Sequence, residues 1–439
     1  MTGNEGLGLV MLAIMIGVIF VGFPIAFTLL MLALSFGYFG LGGIVFDLAY
    51  FQAIGLMKEQ VFAAVPLFIF MGYIVEQAGL MERLFQAFRL ILAPLRGSLY
   101  LGVILTATVF AMATGIVGAA VTVLGIMAAP IMLKSRYNPS LSAGAIAAGG
   151  TLGILIPPSV MLIVMGPVIN VSVAKLYAAS FGPGFLLASL YILYTLTRSF
   201  IDPRLGPAMP LDERATSIWQ LVREFAVGMA PLAALIAATL GTIMAGVVTP
   251  TEAAAMGASG GILLSVAYGR FTFTGFKTAA FNTMTTSSMV LFLAVASNIF
   301  GAVFARLGSA TVVTNAMIKL PVPPFAMLLL VMVLIFLLGW PFEWPAVILV
   351  FLPILWPVVE AMKFDQVWVG ALIAVNLQTA FLSPPVAMSA YYLKQVVPQW
   401  DLRTIYTGMF QFMILQVIAL VLVMAFPQIA LWFPNWLFR

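Results

Sequence analysis

Apolar stretches run the length of this 439-residue chain, near 6–22, 24–43, 61–79, 98–133, 140–165, 177–199, 226–248, 251–268, 279–304, 325–361, 366–392 and 404–430. Most reach the roughly 20 residues that an α-helix needs to cross a hydrocarbon core of about 30 Å. The solvent for this fold is therefore lipid. Because lipid offers no partner to backbone N–H and C=O groups, such segments must be helical, and the fold class is all-α integral membrane protein. Composition supports this: 63% of residues are hydrophobic and 8% charged, too few charges to cover a water-exposed globule. The chain has no cysteine and no histidine, which removes disulfides, thiolate chemistry, the usual transition-metal ligands and a histidine proton relay. An enzyme is not expected, and neither is an organic cofactor. The 19 Lys and Arg residues are scattered between apolar runs, a pattern that sets topology and does not fit nucleic-acid binding. Met1–Glu5 lacks the positive segment of a signal peptide, so the first helix is expected to stay in the protein.

The two halves resemble each other. Gly22 and Gly246, Pro66-Leu67-Phe68 and Val290-Leu291-Phe292, and Gly115 and Gly339 are each separated by 224 residues, and Pro157-Pro158 and Pro384-Pro385 by 227. Recurrence in one order at nearly one lag predicts a duplication. A first repeat is expected over 1–200, an amphipathic cytoplasmic connector over 201–224, marked by Asp202, Arg204, Asp212, Glu213, Arg214, Arg223 and Glu224, and a second repeat over 225–439. Segments 98–133 and 325–361 are too long for one helix and are interrupted by ATGIVG (113–118) and GWPFEWP (339–345). Each arm of about 15 residues falls short of a full crossing, which predicts re-entrant hairpins with tips at mid-membrane. With the hairpins entering from opposite faces, 13 Lys and Arg fall on one side against six on the other (Lys58, Lys175, Arg306, Lys319, Lys363, Arg439). The rich side is cytoplasmic. The expectation is two inverted repeats, each of about five transmembrane helices plus one hairpin, with both termini periplasmic.

A helix broken at a proline pair follows each hairpin, over 140–165 and 366–392: GGTLGILIPPS (149–159) and NLQTAFLSPP (376–385). Proline removes a donor and clashes with the preceding turn, so carbonyls are freed there; a simple packing kink is the other reading of either pair. Freed carbonyls, with Thr151, Thr379, Ser383, Asn376 and Gln378, supply oxygen ligands suited to sodium. Helix N-termini at the same breaks offer N–H groups to an anion, which makes Pro157, Pro158, Ser159, Asn376, Ser383, Pro384 and Pro385 candidate substrate-binding residues. Glu343 sits at the second tip, where a charge in hydrocarbon costs at least a few kcal/mol unless compensated. It points to a cation or substrate role, or to a cap on the second arm, and Trp344 beside it is a candidate substrate contact. Glu252 fits a capping box with Thr249, Pro250 occupying the first helical position, and Glu76 fits an interfacial position.

The strings TGIVGAAVTVLGIMAAPIML (114–133), AGGTLGILIPPSVMLIVMG (148–166) and TPTEAAAMGA (249–258) resemble the large membrane subunit of tripartite ATP-independent periplasmic (TRAP) transporters, in the branch associated with mannitol and chloroaromatic compounds. The resemblance implies an elevator-type sodium symporter in the bacterial inner membrane, importing a small organic anion such as a carboxylate or sugar acid. It implies two partners, a small four-helix membrane subunit and a soluble periplasmic substrate-binding protein. It places sodium ligands at Thr114, Gly115 and Gly118 with Gly150 and Thr151, and at Gly339 and Glu343 with Gln378 and Thr379. Many members carry serine after the first tip glycine, where this chain has Ile116, and aspartate at the second tip, where it has Glu343. A stand-alone sodium and organic-anion symporter of the same superfamily is the alternative.

Overall fold

The computed structural model describes residues 3–210, 214, 217–384 and 387–438, which form helices and no strand. The first half runs α1 (Gly3–Phe20), α2 (Ile25–Leu41), α3 (Ile44–Met57), α4 (Ala64–Gln77), α5 (Leu80–Leu92), α6 (Ser98–Thr114), α7 (Val117–Lys134), α8 (Pro139–Thr151), α9 (Val160–Val168) and α10 (Val173–Ile201). The second runs α11 (Ile218–Ile236), α12 (Thr242–Met244), α13 (Pro250–Ala267), α14 (Phe273–Arg306), α15 (Ser309–Ile318), α16 (Pro324–Leu338), α17 (Trp344–Ala346), α18 (Leu352–Ala361), α19 (Gln366–Leu377), α20 (Met388–Val396), α21 (Leu402–Ala425) and α22 (Gln428–Leu437). Among the described residues seven helices are long and apolar enough to cross a membrane: Gln60–Gln77, Val117–Lys134, Val173–Ile201, Leu221–Met244, Phe273–Arg306, Trp344–Ala361 and Leu402–Ala425.

Both interrupted segments fold as helical hairpins. In the first, Gly115 ends α6 at φ +62°, a left-handed backbone that glycine adopts without strain, and an extended Ile116 starts α7. The arms have 17 and 18 residues, longer than the 15 expected, because the helix continues to the tip glycine on one side and Lys134 on the other. In the second, Gly339–Glu343 link α16 to a return arm that passes through α17, a π-turn at Val347–Phe351 and α18.

Each hairpin leads into a broken helix. Asn138 caps α8, its side chain accepting from Leu141 N at 2.9 Å with Pro139 in the first turn. After Thr151 the chain tightens into a 3₁₀ turn (Leu152–Ile154), passes a cis Pro157-Pro158 bond and restarts at Ser159, whose hydroxyl caps α9. Asp365 caps α19 in the same manner, and a 3₁₀ turn at Gln378–Phe381 ends it. Pro385 and the connector residues Asp212 and Glu213 lie outside the described residues.

Around these elements α1, α2, α3, α4, α13 and α14 pack on one another, while α6 to α10 pack with α19 to α22. The start of the connector is fastened beneath the first hairpin: Gly97 N donates to Gly206 O at 2.9 Å, Asn138 N to Leu205 O at 3.0 Å and Tyr137 Oη to Pro207 O at 2.8 Å. Three helices lie outside the apolar stretches of the sequence. α5 buries Leu80, Met81, Leu84, Phe85 and Ala87 on one face and leaves Glu82 and Arg83 exposed, so it forms no continuous apolar run. α3 and α15 have only 14 and 10 residues.

Candidate transport site

The first tip lies on the first break. A Cβ placed on Gly115 would stand 3.0 Å from the Pro158 carbonyl oxygen and 3.7 Å from that of Gly153, so two carbonyls freed by the break point at the tip. Gly153 in turn lies beside the backbone of Gly115 and Ile116. The second tip lies on the second break, with Ala380 Cβ 3.2 Å from the corresponding position on Gly339. Tip and break thus meet in both halves. Close approach also holds α7 to α8, since a Cβ on Gly150 would overlap the Val121 side chain and stand 3.0 Å from its backbone nitrogen.

The polar side chains at the breaks are largely committed. Thr114 Oγ1 donates to Phe110 O at 3.2 Å, Thr379 Oγ1 to Asn376 O at 2.7 Å and Ser383 Oγ to Thr379 O at 2.6 Å. Ser159 Oγ bonds Ile154 O, and Asn376 Nδ2 donates to Met332 O at 2.7 Å. Thr151 is different because it ties the halves together: its Oγ1 lies 2.8 Å from Ala148 O and 3.0 Å from Gln378 Oε1, and Gln416 Nε2 of α21 reaches it at 3.4 Å. Thr151, Gln378, Gln416 and the adjoining Tyr191 of α10 are completely buried. Among the described residues Gln378 Nε2, Gln416 Oε1 and Asn376 Oδ1 have no hydrogen-bond partner, and the Tyr191 hydroxyl lies beside Gln416 and Thr151. Neutral amide oxygens at the crossing and the Gly153 and Pro158 carbonyls at the first tip suit a hard cation, which prefers oxygen ligands.

A cavity of about 150 Å³ opens where the two tips face α4 and α14. Its wall takes Gly115, Ile116, Val117 and Gly118 from the first tip and Glu343, Trp344 and Pro345 from the second. Ile69 of α4 and Thr286, Met289 and Val290 of α14 face them, and Ile154, Val160, Phe381, Met388 and Tyr392 complete the lining. Glu343 is exposed here, and no Lys or Arg is among the described residues of the wall. Thr286 Oγ1 lies 3.4 Å from Tyr73 Oη of α4. A second cavity of about 580 Å³ lies farther along α14, bounded by α3, α9 and α18, with Gln52, Glu59, Ser297 and Asn298 in its wall. It begins at Ala294, one helical turn beyond Val290.

Of the residues expected to bind substrate, Trp344 lines the tip cavity. The Pro158 carbonyl oxygen and Ser159 Cα lie against Gly115 of the first tip, Pro157, Asn376 and Ser383 are buried, and Pro384 is exposed. Among the expected cation ligands, Gly115, Gly118 and Glu343 line the cavity, while Thr151 and Gln378 lie in the buried crossing behind it. Tyr392, Thr286, Gln416 and Tyr191 are absent from the sequence-based set. Gln416 carried a signal, an amide within the apolar run FMILQVIALV; the other three did not. Glu252 forms the expected capping box, receiving Thr249 N at 2.8 Å, and takes no part in the site.

Paired hairpins, each followed by a broken helix and meeting at one cavity, define a multi-pass membrane transporter. The chain superposes on the YdaH transporter of Alcanivorax borkumensis with a TM-score of 0.65 over 93% of its own length and 97% of that chain, at 16% identity. Residues 12–429 match the tripartite ATP-independent periplasmic transporter, DctM component, and the chain belongs to that family. It is 30% identical to the sialic acid TRAP transporter large permease protein SiaM of Vibrio cholerae, over 96% of each chain. It is 27% identical to the C4-dicarboxylate TRAP transporter large permease protein DctM of Rhodobacter capsulatus, over 97% of this chain and 98% of the relative. These relatives are permease subunits and not enzymes.

Proposed function

We propose that this chain uses a sodium gradient to import a small organic anion, a carboxylate or sugar acid, across the bacterial inner membrane. It works with a small four-helix membrane subunit and receives its substrate from a soluble periplasmic binding protein. The observation that carries the reading is the tip cavity, which both hairpins build and in which Glu343 is the one formal charge. An anion entering it meets a carboxylate. Two like charges about 4 Å apart repel by roughly 4 kcal/mol at an effective dielectric constant of about 20. Sodium held by Glu343, Gly339, Gln378, Thr379 and the freed carbonyls offsets that repulsion, so substrate binds well only with its co-ion. This is a physical basis for coupling. The first tip, with Thr114, Gly115, Gly118, Gly150 and Thr151, holds a second sodium.

The lag in the sequence and the repeated order of hairpin and broken helix favour inverted repeats, 1–200 and 225–439, related by an axis in the membrane plane. In the elevator motion that this architecture suits, the hairpins and broken helices move as one body against α4, α13 and α14, and the larger cavity along α14 serves as the vestibule. The deciding experiment reconstitutes the chain with its small subunit in liposomes and follows uptake of labelled succinate, gluconate and N-acetylneuraminate, with and without binding protein and an inward sodium gradient. Uptake that requires both is the expected result. Sodium-driven uptake without binding protein would favour a stand-alone symporter, and wild-type uptake indifferent to sodium would overturn the cation assignments.

A further inference from the structure

Among the described residues the wall of the tip cavity holds no Lys or Arg, and its side-chain donors are the hydroxyls of Thr286 and Tyr392 and the indole N–H of Trp344. Thr286 already lies 3.4 Å from Tyr73 Oη. Tyr392 belongs to α20, the helix that follows the second break, yet its ring rests on the first tip. A Cβ added to Gly118 would stand 3.0 Å from Tyr392 Cζ and 3.2 and 3.3 Å from the two Cε atoms. The missing side chain at Gly118 is therefore the seat of the phenol, at the end that carries the hydroxyl. No hydrogen bond to a described residue engages that hydroxyl.

We propose that Tyr392 is a specificity-determining residue: its hydroxyl donates to the anionic end of the substrate between the two tips, and Gly118 sets the position from which it does so. The assignment rests on the transport reading above and adds to it which group recognises the anion. It also gives Gly118 a steric duty independent of cation binding. A hydrogen bond to a charged group strengthens binding by about tenfold or more, whereas losing the hydroxyl leaves the shape of the ring in place.

The test uses the reconstituted complex with whichever of the three labelled acids the wild type imports. Tyr392→Phe is expected to raise KM about tenfold or more with little change in maximal rate or in the sodium concentration giving half-maximal uptake. Gly118→Ala, which pushes the phenol off its seat, is expected to raise KM similarly, and the double variant to be little worse than either single one, because both remove the same contact. Melting temperatures in detergent separate this from misfolding. A Tyr392→Phe variant with wild-type KM, or effects of the two changes that multiply, would overturn the assignment while leaving sodium-driven transport intact. Failure of the wild type to import any of the three acids with sodium would overturn the transport reading and this one with it.

Discussion

Gln416 is the residue whose burial is hardest to explain by packing alone. An amide in the middle of an apolar helix forfeits hydration, and one of its two polar ends has no partner. What it gains is the contact with Thr151, and through Thr151 with Gln378, at the point where the two broken helices meet. Gln416→Leu is expected to cost about 1–3 kcal/mol in chemical denaturation. Because Thr151 and Gln378 are proposed cation ligands, it should also raise the sodium concentration for half-maximal uptake severalfold; lowered stability with unchanged sodium dependence would make Gln416 a packing residue. At this scale the sequence was partly legible. Glu343 and the break residues stand out because charge and proline are rare at membrane depth. Tyr392 does not, because an ordinary tyrosine acquires its place from a contact with Gly118, 274 positions earlier in the chain.

At the scale of elements, glycine decides how closely the broken helices can be held. α8 and α21 cross where a Cβ on Gly408 would overlap the Ser140 carbonyl oxygen and one on Gly144 would stand 2.7 Å from the Gly408 carbonyl oxygen and 2.6 Å from the Phe412 ring. Backbone at that distance cannot yield as a side chain can. Gly408→Ala is therefore expected to destabilise by about 1–3 kcal/mol or more, read as a fall in midpoint on denaturation in mixed micelles, whereas Gly17→Ala, where nothing stands within 4 Å, should be neutral. Equal midpoints for the two would contradict the close crossing. Both hairpins were legible because glycine and proline interrupt runs too long for one helix. α5 was not, since a helix that buries one face against α11 and leaves charge on the other lacks the apolar continuity that marks a span.

For the whole molecule, the account requires the tips to travel relative to α4. The chain contains no cysteine, so introduced pairs report without background. Ile69 and Ile116 face the same cavity from α4 and the first tip; joining cysteines there with a bismaleimide of about 10 Å reach is expected to stop uptake. A Cβ on Gly261 would stand 3.7 Å from Ile74 Cβ, within the roughly 3.5–4.5 Å that a disulfide spans, and that bond, lying between α4 and α13, should leave uptake unchanged. Full uptake by the Ile69–Ile116 cross-linked protein would exclude the motion. That the chain spans a membrane was legible from its apolar stretches, and the two hairpins with their following broken helices from the recurring interruptions. The placing of the cavity against α4 and α14 was not, because it depends on contacts between helices of opposite halves that no local pattern encodes.

The central claim is that one cavity couples anion to sodium through Glu343. It is tested most directly by measuring labelled sodium entering liposomes that hold the complete transporter, driven only by an inward gradient of the transported acid with its binding protein. Sodium entry in proportion to acid entry is expected in the wild type, and loss of that proportion in Glu343→Gln. Acid entry unaccompanied by sodium in the wild type would contradict it.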